Sequence, residues 1–289
     1  MSDDAARLAL AQVSVIVVTF NSAHCLPDLA GPLADFPHVT VVDNASNDGT
    51  SAQTRRLIPQ ARVIENPRNL GFGAANNLGL REATTPYALL LNPDCEVTAP
   101  KVLALLAVAH QHPDAALVAP QLLRESGAAE INYRWPSTRW RSRGPGADAL
   151  CCVGFACGAA LLLNLRVMRE VGFFDEAFFL YYEDDDLCKR VFDARRAILL
   201  VPSVTLVHAS RGSVRGTQPW RAEYLRGYHH AQSKLLFTAK HESAARARAQ
   251  RWRVLALALL TLPLRLLAPA PGQVARLAGR ISGLWHTRV

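Results

Sequence analysis

The first hundred residues alternate continuous apolar runs with stretches in which apolar positions recur every three or four residues. VSVIVVTF (13–20) is a run rich in β-branched side chains, HVTVVDN (38–44) is a second, and ARVIEN (61–66) and YALLLN (87–92) follow. Runs without polar alternation read as strands buried on both faces. Between them the pattern predicts helices over about 23–34, 50–58 and 73–83. Strands spaced this way, with helices between, form βαβ units, so the chain is predicted to be α/β, a mainly parallel mixed sheet with helices on both faces.

In such sheets ligands bind beyond the carboxyl ends of the strands. Polar residues stand after every strand of the first half: Thr19 and Asn21; Asp43, Asn44, Ser46 and Asp48; Asn66, Arg68 and Asn69; Asn92 and Asp94. One such end is an ordinary turn, since Asn, Asp, Ser and Gly are turn residues; four in succession point to a polar site along one edge. There is no GxGxxG after the first strand and no GxxxxGK[ST] anywhere, so a dinucleotide fold of the usual kind and a P-loop are both unsupported.

Composition narrows the class. Half of the 289 residues are hydrophobic, enough for a large core. The six cysteines form no CxxC pair and the first twelve residues lack an apolar leader core, so a reduced, cytoplasmic setting is expected. CCVGFAC (151–157) suggests metal ligation or, more simply, small buried thiols.

The net charge of +8 lies in the tail: residues 243–289 hold eight arginines and no Asp or Glu, leaving 24 basic and 24 acidic residues elsewhere. The tail's longest uncharged apolar run, 254–264, is too short to span a bilayer and contains Pro263. Two readings stay open, a segment lying in the membrane interface or an amphipathic helix docked on the protein itself. Nucleic acid is not expected as a partner, because so Leu-rich a segment is a poor surface for phosphates. The division predicted is 1–242 as the main folded domain and 243–289 as a membrane-associating segment. The loop 124–150 is long, basic and aromatic; its arginines 134, 139, 141 and 143 either meet a diphosphate group or lie on a plain surface loop.

FFLYYEDDDLCKR (178–190) sets Glu183, Asp184, Asp185 and Asp186 at the lip of an apolar segment. Taken alone, this is a helix start, where acidic residues are stabilised by the helix dipole.

VSVIVVTFNS, VVDNASNDGT, NPRNLGFGAANNLG, LLLNPDCEV, the GFFDEAFFLYYEDDDLCKR stretch and LVHASRGS occur in an order that resembles family 2 glycosyltransferases with the GT-A nucleotide-diphospho-sugar transferase fold, and among them the bacterial rhamnosyltransferase branch. The resemblance spans about residues 13–240. It implies that Asp43 accepts the N3–H of a uracil or thymine ring, with Thr19 and Asn21 lining the same pocket; Asn44, Ser46, Asp48, Arg68, Asn69, Gly71, Asn76 and Asn92 fall on the donor side. It places the metal position on Asp94, with Asn92 where the general DxD pattern has its first Asp, and His208 as a further contact, for Mg2+ or Mn2+. It makes Asp184 the general base, with Asp185 as rival and Glu183 beside them, and it assigns Gly158 and Tyr182 to the acceptor.

The function implied is metal-dependent inverting transfer of a sugar, L-rhamnose from dTDP-rhamnose, to a lipid-linked saccharide or polysaccharide such as O-antigen, by a protein at the inner face of the cell membrane. Two alternatives remain: a UDP-sugar donor on the same fold, for hexosyl or galactofuranosyl transfer, and a non-catalytic nucleotide-sugar-binding protein.

Overall fold

The computed structural model describes residues 2–133, 146–209, 219–267 and 270–287, with the backbone alone for 262–267. The four apolar runs are strands β1 (Val13–Thr19), β2 (Val39–Asp43), β3 (Arg62–Glu65) and β4 (Tyr87–Leu91). The three predicted helices are α2 (Leu26–Leu33), entered through a 3-10 turn at Ala23–Cys25, α3 (Thr50–Leu57) and α4 (Phe72–Glu82). The chain adds α1 (Asp3–Leu10), α5 (Ala99–Gln111), β5 (Leu117–Leu123), β6 (Cys151–Cys152), β7 (Ala160–Asn164), α6 (Leu165–Val171), α7 (Glu183–Asp193) and β8 (Ile198–Val207). Helices α8 (Pro219–His241), α9 (Ala244–Leu267) and α10 (Pro271–His286) follow.

Among the described residues the strands form one eight-stranded sheet in the order β3-β2-β1-β4-β7-β5-β8-β6. The pairs β1–β2, β1–β4, β2–β3 and β5–β8 are parallel, whereas β7 is antiparallel to β4 and β5, and β6 to β8. Because β7 is inserted in reverse between β4 and β5, strands β4, β5 and β8 keep the direction of β1. The carboxyl ends of β1, β2, β3, β4, β5 and β8 therefore share one edge of the sheet.

Two cores explain the absence of alternation in the strand sequences. Val13, Val15 and Val17 of β1 and Tyr87, Leu89 and Leu91 of β4 pack with α1, α2 and α5; Ile16, Ala88 and Leu90 pack on the other face with α4, α6 and the later part of α7. Helix α4 lies so close to β1 that a Cβ on Gly79 would stand 2.5 Å from Ile16 Cγ2, which is why glycine occupies a helix interior there. The β5–β8 ladder slips between Pro120 and Gln121, leaving 202–204 out of register, where Pro120 and Pro202 cannot donate ladder hydrogen bonds.

Contacts divide the chain into two compact units: 1–174 with 187–215, and 175–186 with 216–289. The second unit holds α8 together with α9 and α10, so the helix just before the predicted boundary at 242 groups with the tail. Within it α8 and α10 run parallel in backbone contact: a Cβ on Gly279 would stand 1.9 Å from the Tyr224 carbonyl oxygen, and one on Gly283 2.3 Å from that of Tyr228. Helix α9 buries Ala247, Leu255 and Ala258. The tail is thus docked on its own unit along one side. Pro263 lies inside α9 without ending it; the carbonyl that loses its partner belongs to Leu259, which is exposed to water. No helix among the described residues is long and apolar enough to cross a membrane.

The glycine contact sets a test. Gly279→Ala destabilises the protein by about 1–3 kcal/mol through overpacking, read by denaturant unfolding. Gly272→Ala, whose Cβ meets nothing closer than 3.6 Å, leaves stability unchanged or slightly raised. Equal stability of the two variants contradicts the close packing.

Candidate active site

In the first unit, β1 and β4 form the switch point from which the chain leaves in opposite directions, and the carboxyl ends beside it are polar. Asp43 ends β2 only 3% exposed. Its Oδ1 accepts hydrogen bonds from Thr19 Oγ1 (3.1 Å) and Ser46 Oγ (2.5 Å), and its Oδ2 from Ser51 Oγ (3.1 Å) and the Ser46 N–H (3.3 Å). Asn21 stands in the left-handed region (φ 53). Its N–H donates to Ser46 Oγ and its Oδ1 accepts from the Asn47 N–H, so the β1 and β2 ends form one hydrogen-bonded pocket wall. Asp48 braces the same loop: burial alone would raise its carboxyl, but hydrogen bonds from the Thr50 hydroxyl and the Ala23 and Thr50 N–H groups outweigh burial and hold it below the usual range.

The next strand end is tied to this one by side-chain amides. Asn44 Nδ2 donates to Asn69 Oδ1 (2.8 Å) and to the Gly71 carbonyl (3.1 Å), while its Oδ1 accepts from Asn66 Nδ2 and the Leu70 N–H. Gly71 has φ 90 and ψ 171, a conformation open only to glycine, and it starts α4. Asn76 bonds back to the Phe72 carbonyl within α4. Arg68 is exposed at the rim. The structure thus brings Asn44, Asn69 and Gly71 together as a brace that fixes the loop, and leaves the Arg68 cation facing outward.

Beyond β4 the chain follows the carboxyl edge. Asn92 is held by its backbone to Ala159 and Cys95, the Glu96 N–H donates to Val207, and Cys95 bridges His208. Asp94, whose side chain is buried, stands 3.7 Å from His208 Nε2. One ligand atom each from Asp94, Cys95 and His208 lies within 4.8 Å of the others. A carboxylate and an imidazole at this spacing suit a divalent cation such as Mn2+, so the residues present fit the metal position that the sequence implied. Burial, and then the Asp94 carboxylate beside it, push the Cys95 thiol well above its usual value. Cys95 was not singled out in the sequence; its signal was the unusual Asp-Cys step. Gly158 is buried just before β7. Cys151 and Cys152 pair with β8, and Cys152 is exposed on the edge strand rather than buried. The arginines 134, 139, 141 and 143 lie outside the described residues.

In the second unit, burial sorts the four carboxylates at the start of α7. Glu183 is buried with no hydrogen-bond partner on Oε2; burial, and then the charge of Asp184, push its carboxyl well above the usual range. Asp186 is wholly buried, with Lys240 Nζ and His241 Nε2 each 2.7 Å from its Oδ1, and Lys240 also reaches Asp175 at 2.6 Å. This ion cluster was not foreseen: in the sequence Asp186 is only one of four acidic residues at a helix start. Asp184 and Asp185 remain partly accessible. Just ahead, Tyr181 (φ 70) and Tyr182 (φ 66) are both left-handed, a strained pair for bulky residues. Their rings lie against His230 at 5.8 and 5.4 Å, and Tyr182 also meets Phe237. Strain held at the entry to an acidic helix marks a constrained site.

The strand order and the polar carboxyl edge belong to a fold of the GT-A type. The structure superposes on the mannosyltransferase PcManGT of Pyrobaculum calidifontis, solved with GDP-Man and Mn2+, with a TM-score of 0.57 over 96% of this chain and 88% of that one, at 16% identity. Residues 14–166 match the model for glycosyl transferase family 2, more than half of the chain, and the protein belongs to that family. It is 28% identical over 213 residues to the low-salt glycan biosynthesis hexosyltransferase Agl10 of Haloferax volcanii, covering 69% of this chain and 67% of that protein. To the N-acetylglucosaminyl-diphospho-decaprenol L-rhamnosyltransferase of Mycobacterium tuberculosis it is 28% identical over 247 residues, 74% of this chain and 78% of that one.

His230 gives the site a pH signature. Burial, and then the positive charges of Arg280, Lys234 and Arg276, lower its pKa from 6.5 to about 4. Between these values the unfolded chain binds a proton that the folded protein refuses, so stability is full above about pH 6.5 and falls as pH drops toward 4. After discounting for solvent at the partly exposed ring, the loss is about 2 kcal/mol. His230→Gln, which does not titrate, flattens this acid limb in denaturant unfolding at pH 7 and pH 5; an unchanged slope contradicts the assignment.

Proposed function

We propose that this family 2 glycosyltransferase is a metal-dependent inverting enzyme that transfers L-rhamnose from dTDP-rhamnose to a lipid-linked saccharide. The observation that carries this reading is the Asp94–His208 pair on the same sheet edge as Asp43: a cation position and a base-edge acceptor in one unit, as a nucleoside diphosphate needs. The sugar and the acceptor class are supported by the mycobacterial relative, whose name gives an L-rhamnosyl group and a lipid diphosphate acceptor, and a cation beside a nucleotide sugar by the PcManGT complex.

Asp94 and His208 would hold the ion; when bound, it neutralises charge on the donor diphosphate and stabilises that group as it leaves. Asp43 accepts the N3–H of the base. The base replaces Ser51 on Oδ2, because the Ser51 hydroxyl can rotate away whereas the Ser46 N–H is fixed. Thr19 and Asn21 hold the pocket wall. Arg68 at the rim offers charge to phosphate, and Gly158 and Tyr182 belong to the acceptor side.

Asp184 takes the proton of the acceptor hydroxyl as that oxygen attacks the anomeric carbon opposite the leaving diphosphate, which inverts the centre. Burial, which pushes the Glu183 carboxyl upward, lessens the negative charge standing beside Asp184.

Asp184→Asn lowers transfer by about two to four orders of magnitude and leaves donor binding intact; transfer at the unaltered rate removes Asp184 as base, and retention in Asp185→Asn separates the two. The donor is tested by calorimetric titration with dTDP-rhamnose and UDP-glucose, each with Mn2+ and then EDTA. Metal-dependent binding of dTDP-rhamnose alone is expected. Preference for the UDP-sugar overturns rhamnosyl transfer and favours hexosyl transfer.

We further propose that the protein associates peripherally with the inner face of the cell membrane through the outer side of α9. There Trp252, Leu257, Leu259 and Leu260 are exposed next to Arg246, Arg248 and Arg253, while Trp285 is exposed on α10. Apolar side chains among arginines match an anionic interface. Trp252→Ser with Leu260→Ser weakens sedimentation with phosphatidylglycerol vesicles about tenfold or more; equal sedimentation removes this surface.

A further inference from the structure

Past β4 the chain turns along the sheet edge and pairs with the end of β8, setting Cys95 opposite His208. Three different donors converge there: a carboxylate oxygen of Asp94, Sγ of Cys95 and a ring nitrogen of His208, all within 4.8 Å of one another. Ligands of one four-coordinate d-block ion stand about 3.3–3.8 Å apart, given bond lengths of about 2.0–2.3 Å. Asp94 Oδ1 and His208 Nε2 already have this spacing, 3.7 Å, and a rotation of the Cys95 side chain would bring Sγ, within 4.8 Å of both, to the same ion. Sγ rests 3.4 Å from the Ala159 carbonyl, a weak thiol hydrogen bond that a small side-chain rotation gives up.

We propose that Cys95 is a third protein ligand of this cation position, making it a mixed oxygen, nitrogen and sulfur site that holds Zn2+ or Co2+, and after them Mn2+, in strong preference to Mg2+ or Ca2+. The inference rests on the reading of Asp94 and His208 as cation ligands and deepens it. A carboxylate and an imidazole alone tolerate the hard cations; a sulfur ligand shifts preference toward the softer ions. As the sulfur–metal bond forms, the S–H bond breaks and its proton leaves to solvent, one proton for each ion bound. The plain alternative is that Cys95, which also packs in the core between the sheet and α5, fills space and touches no ion.

The test titrates Co2+ alone into the full chain and follows near-ultraviolet absorption, with proton release measured by calorimetry in two buffers of different ionisation enthalpy. A sulfur-to-cobalt charge-transfer band saturating at one ion per chain is expected. Cys95→Ser should lose the band, release one proton fewer and bind Co2+ about tenfold or more weakly, with Zn2+ preference over Mg2+ narrowed. Cys157→Ser, which removes the neighbouring thiol, should keep the band. Co2+ binding without the band, or a band lost in Cys157→Ser instead, overturns the role of Cys95. Binding that is absent, or unmoved by Asp94→Ala, overturns the cation position itself and is distinguishable from the first failure. Should Cys95→Ser fold poorly, Cys95→Ala and the native band with its proton count decide the matter.

Discussion

A strand covered by helices on both faces has nowhere to keep a polar side chain except at its ends, and β1 and β4 meet this constraint most severely. Val13, Val15, Ile16 and Val17 are fully buried, as is Leu90. Burying an unpaired polar group there costs several kcal/mol, so the chain confines polar chemistry to the edge where the strands stop. Since β1, β2, β3, β4, β5 and β8 share a direction, the constraint collects Asp43, Asn44, Asn66, Asp94 and His208 along one edge. The site follows from the sheet's dryness.

The same principle separates residues that bind from residues that brace. Asn44 uses both amide hydrogens and its oxygen on neighbouring loops, and Asp48 is occupied by Ala23 and Thr50. These groups give the edge its rigidity, and their hydrogen bonds are already made. Asp43 is intermediate: its lone pairs are filled, but two of its donors are serine hydroxyls, one of which can turn. In the acidic block the sorting is sharper. Asp186 is fully buried and survives as a charge because Lys240 and His241 close on it; removing such a partner costs about 3–5 kcal/mol. Glu183 is buried with no hydrogen-bond partner on Oε2, and burial pushes its carboxyl toward the neutral form instead.

This sorting also explains what the sequence could and could not disclose. Strands β1–β4 and helices α2–α4 were legible because unbroken β-branched runs and three-to-four-residue periodicity are local signals. The reversed direction of β7 was not, since ALLLN reads alike in either orientation and pairing is decided by neighbours far along the chain. Asp184 and Asp186 are two residues apart with the same side chain, and only the approach of Lys240, 54 residues beyond Asp186 in the numbering, tells them apart. Cys95 was legible as a residue but not as a donor, because the bridge to His208 joins positions 113 apart.

The basic tail shows why two readings of one segment need not compete. A helix that packs on its neighbours by one stripe uses only part of its circumference, and α9 buries Ala247, Leu255 and Ala258 while Trp252, Leu257 and Leu260 stay exposed. Docking accounts for the first set and leaves the second unexplained. Three large apolar side chains left in water among Arg248 and Arg253 make a surface that folding alone does not require. Glycines 279 and 283, by admitting the α8 backbone, keep α10 fixed in the second unit, so the exposed stripe of α9 is presented by a helix bundle and not by a free tail. A rigid presenting surface loses little entropy when it meets an interface, so the membrane contact proposed for α9 would not require the segment to fold first.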